Sequence, residues 1–255
     1  MPRLLPDARL LTDTGVVFGR YMRATLRSKT NMFFGMLQPL LFLALFGPLL
    51  TGFGLGDGSS WQVLVPGLLV QLALLGGSFV GLGIMMDRTL GVIDRMRVTP
   101  VSPLALLLGR TLRDAVQLLV QSVLLVLLGL ALGLRAPLPG VLLGLAFVAV
   151  LATALSALSY GLAMHVRSTP EFAAITNTAM LPLMLLSGVL LPMSLGPGWL
   201  DAVSRAVPFR YTVDAVREAF LGHYTSGTVA LGTAVTLATA AACLVAGARM
   251  FRSAR

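Results

Sequence analysis

Long apolar runs dominate the chain, and short charged segments separate them. A helix needs about 20 mostly apolar residues to cross the roughly 30 Å hydrocarbon core of a bilayer. No run alternates apolar and polar residues along its length, which disfavours an outer-membrane barrel. The pattern therefore predicts an all-α integral membrane protein with six transmembrane helices, at 31–51, 62–85, 114–134, 138–164, 172–193 and 228–248.

Composition excludes several other classes of protein. Hydrophobic residues make up 56% of the chain and charged residues 11%, with a mean hydropathy of +0.88. Soluble domains carry about 25% charged residues, so this chain could not cover a water-soluble surface. One cysteine, two histidines and ten acidic residues also argue against a disulfide framework, a metal site or a metal hydrolase.

The basic residues predict the orientation in the membrane. The two termini and the loops on their side hold fifteen of the nineteen Lys and Arg residues, and the opposite side holds four. Because cytoplasmic segments retain positive charge, both termini are expected in the cytoplasm. The net charge of +9 is thereby explained by topology, without nucleic acid as a partner. The first 21 residues lack the apolar core and cleavage site of a signal peptide.

Residues 1–30 are predicted to form a cytoplasmic N-terminus with an amphipathic helix at 16–29. Arg20, Arg23 and Arg27 fall on one side of that helix, and apolar residues occupy the other. This pattern is typical of a helix that lies in the membrane interface. Its arginines would face anionic headgroups, an associated subunit, or both.

The cytoplasmic loop 86–113 is the second amphipathic element. Apolar residues recur there at helical spacing between charged ones, and two prolines then stop the helix. A short charged helix at the base of two spans is suited to receive force from a soluble subunit, although a solvated loop is the simpler alternative. The predicted docking residues of both elements are Asp87, Arg88, Gly91, Asp94, Arg95, Arg97, Pro100, Pro103, Arg20, Arg23 and Arg27.

No acidic residue is expected near the middle of a span. All of them are predicted to lie outside the spans or in a first turn: Asp7, Asp13, Asp57, Asp87, Asp94, Asp114, Glu171, Asp201, Asp214 and Glu218. Carriers driven by protons or ions usually hold an ionisable group at the bilayer midplane. This distribution therefore disfavours a proton relay in the chain.

Amides inside the predicted spans have two possible roles. Each could hydrogen-bond a neighbouring helix, or could line a substrate path. The candidates for a path are Gln71, Gln117, Gln121 and Asn177. In the fifth span, Pro182, Ser187 and Gly188 predict a bend, which is either a static kink or a hinge. The external loop 194–227 is long, and its pattern predicts two short amphipathic helices.

Several motifs resemble one known family. The segment 91–103, with its Thr-Pro-Val-Ser-Pro ending, resembles the coupling-helix region of ABC-2-type transporter permeases. The fifth span and external loop are similar to the same family through Leu181-Pro182, Ser187-Gly188, Leu191-Pro192, Trp199-Leu200, Pro208 and Arg217-Glu218. Within the family, the daunorubicin- and multidrug-resistance permeases are the most similar type. Asp87 is a departure, since family members often carry Glu at that point.

The resemblance implies a single transmembrane domain that exports a hydrophobic drug, antibiotic or lipid-like substrate from the bacterial plasma membrane. It implies a homodimer of permease subunits that contacts membrane lipids and a cytoplasmic ABC ATPase subunit. The chain itself would need no cofactor and catalyse no reaction, since ATP and Mg²⁺ would bind the ATPase. Independently, the lone lysine, Lys29, lacks the preceding glycines of a P-loop.

Three alternatives remain from the residues. A secondary carrier or channel would want a midplane carboxylate. A membrane-embedded enzyme would want clustered His, Asp or Glu, whereas the acids and histidines here are scattered. A membrane scaffold without transport activity is disfavoured by the two docking elements.

Overall fold

The computed structural model describes residues 6–27, 29–51, 60–91 and 103–253, and within these ranges the regular structure is entirely helical. This confirms the predicted all-α class. A 3-10 turn at Met193–Leu195 lies between α7 and α8. The helices are α1 (Pro6–Arg27), α2 (Lys29–Thr51), α3 (Ser60–Phe79), α4 (Gly81–Thr89), α5 (Pro103–Ala131), α6 (Leu138–His165), α7 (Thr169–Leu186), α8 (Gly198–Ser204), α9 (Pro208–Leu221) and α10 (Gly227–Ser253).

Four stretches within the described residues are long and apolar enough to span a membrane. They are Ser60–Thr89, which combines α3 and α4, then Leu104–Ala131, Leu138–His165 and Gly227–Phe251. Helix α2 contributes a shorter apolar stretch, Gly35–Leu49, and α7 ends at Leu186, before the predicted end of the fifth span at 193. The structure thus supports a multi-pass membrane protein, while the count of six spans stays a prediction.

Helix α6 lies at the centre of the bundle and packs against α3, α5 and α10. Its contact with α10 is backbone to backbone. A Cβ atom on Gly161 would lie 2.8 Å from the carbonyl oxygen of Gly247, and one on Gly247 would lie 2.4 Å from that of Ala157. Small residues of this kind let helices approach closely in a membrane, where the lipid supplies little hydrophobic drive for association.

Two short helices occupy the segment predicted to be external, as expected from its pattern. The second of them, α9, packs into the bundle between α3, α6 and α10. Its buried face includes Phe209, Val213, Val216 and Phe220, which belong to the main hydrophobic core. The helix therefore forms part of the folded core of the protein and is not a surface loop.

The prediction that every acidic residue lies outside the spans or in a first turn is wrong for Asp114. Helix α5 begins at Pro103, well before the predicted start of the third span at 114. Asp114 therefore lies beyond the first turn of the helix and inside the candidate span Leu104–Ala131. Charged residues between 104 and 113 had broken the apolar run. The helix nevertheless continues through them, because Arg110 and Arg113 pair with carboxylates inside the protein.

Candidate functional site

Three bonded side chains join α1, α4 and α5 close to the predicted coupling loop. The Nη2 atom of Arg110 on α5 lies 2.6 Å from Oδ2 of Asp87 on α4. The Tyr21 hydroxyl on α1 donates to the same carboxylate oxygen at 3.2 Å and accepts from Arg110. We call Tyr21, Asp87 and Arg110 the Asp87 cluster. It connects α4 and α5, which flank the predicted coupling loop, to the N-terminal helix α1.

Arg110 is the buried member of the Asp87 cluster. The Arg110 side chain is 2% exposed, and its guanidinium carbon lies 4.3 Å from the centre of the Tyr21 ring. Burial raises the pKa of Tyr21 above its ordinary value, and the adjacent Arg110 cation opposes that shift. The phenol therefore keeps its proton at neutral pH and remains a donor to Asp87. Removing the Asp87 carboxylate would leave the Arg110 cation buried without its partner.

The other predicted docking residues near this loop have distinct positions. Nη1 of Arg88 donates to the carbonyl oxygens of Ala163 and Val166, each at 3.3 Å, which ties α4 to the end of α6. Gly91 has a φ of +67°, a conformation that favours glycine, and follows the end of α4. Pro103 is the first residue of α5. The remaining residues of this set, Asp94, Arg95, Arg97 and Pro100, lie outside the described residues.

Helix α1 holds its arginines away from the bundle. Arg20, Arg23 and Arg27 are exposed, whereas Val17 on the opposite side is 4% exposed. Val17 packs directly on α5, where a Cβ atom on Gly109 would lie 2.7 Å from its Cγ1. The structure thus presents a basic surface on a helix that is attached through its apolar side to a membrane span.

A cavity of about 300 Å³, lined by both polar and apolar side chains, lies between α2, α3 and α5. Three of the four predicted path residues line it, namely Gln71, Gln117 and Gln121. Asn177 lies elsewhere, exposed on α7. We call this space the amide cavity; its lining also includes Gly35, Gln38, Leu72, Leu75, Phe79, Arg113, Asp114 and Leu118.

Charged groups that the sequence analysis did not select form one wall of the amide cavity. Nη1 of Arg113 lies 2.9 Å from Oδ1 of Asp114 and donates to Oε1 of Gln117 at 3.2 Å. Asp114 is 2% exposed and accepts a hydrogen bond from the Tyr160 hydroxyl on α6. The cavity therefore combines amides with a compensated ion pair.

A second buried arginine fixes the turn after α7. Arg217 on α9 donates to the carbonyl oxygens of Gly188 at 2.7 Å, Val189 at 3.2 Å and Val63 at 3.2 Å. Burial lowers its pKa to about 10, and the Asp214 carboxylate opposes the shift, so the guanidinium stays charged at neutral pH. We call this set of contacts the Arg217 clamp. It connects α9, the turn after α7 and the start of α3.

The predicted hinge residues lie at or near this clamp. Pro182 is inside α7, and Ser187 follows the last residue of that helix. The Ser187 hydroxyl donates to the carbonyl oxygen of Met184 at 2.7 Å, and Gly188 has a φ of +72°. The chain therefore turns sharply at Gly188. Whether it moves there stays a prediction.

A comparison of the sequence with known protein families covers the residues of all of these features. Residues 12–221 match the family described as ABC-2 type transporter, which covers most of α1 and continues to the end of α9. The chain belongs to the ABC-2 type transporter family. The Asp87 cluster, the amide cavity and the Arg217 clamp all lie within the matched residues of this ABC-2 permease.

Individual relatives agree with the family match. A daunorubicin resistance ABC transporter permease of Streptomyces coeruleorubidus is 32% identical over 196 residues, which cover 75% of this chain and 68% of that protein. A protein of Cyanophora paradoxa named as a transport permease is 29% identical over 197 residues, with the same shares. A protein of Mycobacterium tuberculosis named as a doxorubicin resistance permease is 25% identical over 189 residues, covering 72% and 68%.

One sequence pattern could have identified Asp114 as part of the cavity wall in this ABC-2 permease. Arg110, Asp114, Gln117 and Gln121 recur at intervals of four, three and four residues, so they share one face of α5. A polar stripe in an apolar helix points toward the protein interior or a cavity. Charged residues at 110–114 interrupt the apolar run, so the span was predicted to begin at 114. That boundary divided the stripe, and the stripe was not recognised.

Proposed function

We propose that this chain is the membrane subunit of an ATP-driven exporter, and that a separate ABC ATPase subunit docks on its cytoplasmic face. The observation that carries the proposal is the Asp87 cluster. It joins α4 and α5, which flank the predicted coupling loop, to α1, which presents exposed arginines. A displacement of the loop would therefore be transmitted to the N-terminal helix and to a candidate span through the Asp87 cluster.

The proposed topology has six spans with both termini in the cytoplasm of a bacterial plasma membrane. The distribution of Lys and Arg supports this orientation. Helices α2 and α7 would supply the first and fifth spans beside the four longer apolar stretches. We further propose a homodimer, in which movement of the spans opens an outward path for the substrate.

The substrate proposed is a hydrophobic drug, an antibiotic or a lipid-like molecule. Two relatives carry daunorubicin or doxorubicin resistance in their names. The mixture of apolar walls and amides in the cavity between α2, α3 and α5 suits amphipathic compounds of that kind. ATP and Mg²⁺ would bind only to the partner subunit, which would hydrolyse the ATP.

Co-purification is the direct test of the partnership. The chain is tagged in its native host, membranes are solubilised gently, and the bound proteins are assayed for ATP hydrolysis. We expect a stoichiometric soluble subunit that hydrolyses ATP. Purification of the chain alone from intact membranes, with no ATPase bound, would count against the proposal.

A proton-driven carrier is the second candidate, and one observation favours it. Asp114 lies three residues before Gln117, which is at the midpoint of the candidate span Leu104–Ala131. A carrier would hold its carboxylate near that depth. Its pairing with Arg113 and Tyr160 and the family match both favour a structural role instead. Transport that stops when the proton gradient is collapsed, but continues without ATP, would support the carrier.

A further inference from the structure

The candidate span Ser60–Thr89 is not one continuous helix. Helix α3 ends at Phe79, α4 begins at Gly81, and Val80 between them lies in a turn. We call this interruption the α3–α4 break. Proline is a common cause of a sharp kink, but the proline of this span, Pro66, lies several turns earlier, inside α3. Another feature of the structure therefore causes the break.

A serine of the neighbouring helix α6 bonds both sides of the α3–α4 break. The backbone N–H of Gly81 donates to Oγ of Ser159 at 2.9 Å, and the same hydroxyl donates to the carbonyl oxygen of Ser78 at 2.6 Å. Ser159 is 4% exposed, so water does not compete for these bonds. Sharp kinks arise where a side chain enters the hydrogen-bond ladder of a helix. The Ser159 hydroxyl thus replaces helical hydrogen bonds that the break removes.

The α3–α4 break is closely packed on one side and unobstructed on the other. A Cβ atom on Gly81 would lie 2.6 Å from the carbonyl oxygen of Ser159 and 2.7 Å from Cζ of Phe172. Gly83 is exposed instead, and a Cβ atom there would meet nothing within 4 Å. Its N–H donates to the carbonyl oxygen of Val80 at 3.0 Å, which is the bond of a tighter turn than the α-helix. Helix α4 therefore starts in contact with α6 but has free space beside its first turn.

The bundle holds the two helices that meet at the break unequally. Fourteen of the twenty residues of α3 are buried, against three of the nine in α4. The far end of α4 carries Asp87, which accepts bonds from Tyr21 and Arg110, and it leads to the predicted coupling loop. A displacement of that loop would therefore act on α4 at the end away from the break, while α3 stays fixed in the core. Bending would occur at the break, because the helical hydrogen bonds are already interrupted there.

We propose that the α3–α4 break is the pivot about which α4 turns during export, and that Ser159 is the positioning residue that keeps the helical hydrogen bonds interrupted. This inference rests on the proposed export function and specifies how a displacement of the coupling loop enters the membrane region. Helices α1 and α5 follow α4 at their bonded ends, since the Asp87 cluster joins them. The pivot is separate from the predicted bend at Pro182, Ser187 and Gly188, which lies on another helix.

Replacing Ser159 tests the pivot through uptake by inside-out vesicles that contain the chain and its ATPase partner. In S159A, the Gly81 N–H and the Ser78 carbonyl oxygen lose their partner. Within a membrane they can bond only along the chain, so α3 and α4 become one continuous helix. We expect the complex to keep hydrolysing ATP but to lose most of its ATP-driven uptake of daunorubicin.

The matched control for this variant is S156A. Ser156 is also buried on α6, but its Oγ has no hydrogen-bond partner within the ranges that the structure describes. The two variants therefore make the same chemical change on the same helix, and only one of them removes the bonds at the break. S156A should leave both ATP hydrolysis and uptake unchanged.

A backbone variant stiffens the pivot without changing Ser159. In G83A the added methyl group meets no neighbour, and alanine has less backbone freedom than glycine. G15A makes the same change at an exposed position of α1 where a Cβ atom also meets nothing within 4 Å. Neither glycine has a positive φ, so both variants should melt at or above the wild-type temperature, but only G83A should lower uptake. Lower uptake by a protein at least as stable as the wild type cannot result from damage to the fold.

Spin labels measure the movement itself in the complex with its ATPase in lipid nanodiscs. The labels are attached at M86C on α4 and L142C on α6, both exposed positions, in a chain whose own cysteine is removed by C243S. Their distance should change on addition of ATP in this parent chain and stay constant when S159A is added. The pair L142C and L237C on α10 is the reference. Its distance should not change, because the backbones of α6 and α10 are in direct contact.

The outcomes separate the pivot from the export function. Normal uptake by both S159A and G83A, or an ATP-dependent distance change that S159A retains, would overturn the pivot and leave the export function in place. A loss of ATP hydrolysis in S159A as large as its loss of uptake would also overturn the pivot, because Ser159 would then have a structural role. A wild type that takes up no daunorubicin on addition of ATP would refute the export function, and the pivot with it.

Discussion

The Asp87 cluster and the amide cavity both hold charged and polar groups on helix α5, but they use them differently. In the cluster, Arg110 reaches across to α4 and α1, and its bonds join three helices. In the cavity wall, Arg113 pairs with its neighbours Asp114 and Gln117 on its own helix. The Oε1 atom of Gln71 is buried and has no hydrogen-bond partner among the residues that the structure describes. Bonds of the cluster hold separate helices together, whereas the contact between Arg113 and Gln117 joins one turn of α5 to the next.

The largest expected effect is loss of the cluster's carboxylate. D87A leaves the Arg110 cation buried without its counter-ion, and breaking a buried pair in this way destabilises a protein by about 3–5 kcal/mol. Unfolding of the purified chain in one detergent measures this. The double variant D87A/R110M removes both charges and should recover much of the stability. A D87A protein as stable as the wild type would show that the pair does not hold α4 and α5 together.

The Arg217 clamp should behave like the Asp87 cluster, since its bonds also join separate elements. R217M leaves the carbonyl oxygens of Gly188, Val189 and Val63 without their donor and should cost about 3 kcal/mol. R205M is the matched control, because Arg205 is 69% exposed and pairs on the surface, and it should cost far less. Equal effects of the two variants in the same unfolding assay would contradict a structural role for the clamp.

The smallest effect on stability should come from the cavity. In Q71L the protein loses an amide oxygen that has no hydrogen-bond partner within the described ranges, so its free energy of unfolding should change by less than about 0.5 kcal/mol. Large destabilisation by Q71L would show that the amide serves the architecture, and the contrast between cavity and cluster would fail.

The fold was largely predictable, because long apolar runs leave few alternatives in a membrane. A helix around Arg20, Arg23 and Arg27 followed from their spacing, although α1 begins earlier than predicted, at Pro6. Its location in the membrane interface stays a prediction. The start of α5 was placed too late for a physical reason. Hydropathy treats Arg110 and Arg113 as solvent-exposed, and it cannot register that their charges are neutralised by carboxylates within the fold.

The candidate site was only partly predictable. Amide residues inside a predicted span identified Gln71, Gln117 and Gln121, but the same rule selected Asn177, which is exposed and does not line the cavity. Residue type alone does not show which side of a helix lines a cavity. The contact between Tyr21 and Asp87 joins residues 66 positions apart, and no local pattern encodes such a pairing.

The most direct test of the account is ATP-driven uptake of daunorubicin by inside-out membrane vesicles that contain the chain and its ATPase partner. Wild type is compared with the charge reversal R95E/R97E in the coupling loop, and with R135E, an exposed arginine on the opposite predicted side. We expect uptake on addition of ATP by wild type and R135E, and none by R95E/R97E despite normal membrane insertion. Full uptake by R95E/R97E, or uptake driven by a proton gradient without ATP, would contradict the account.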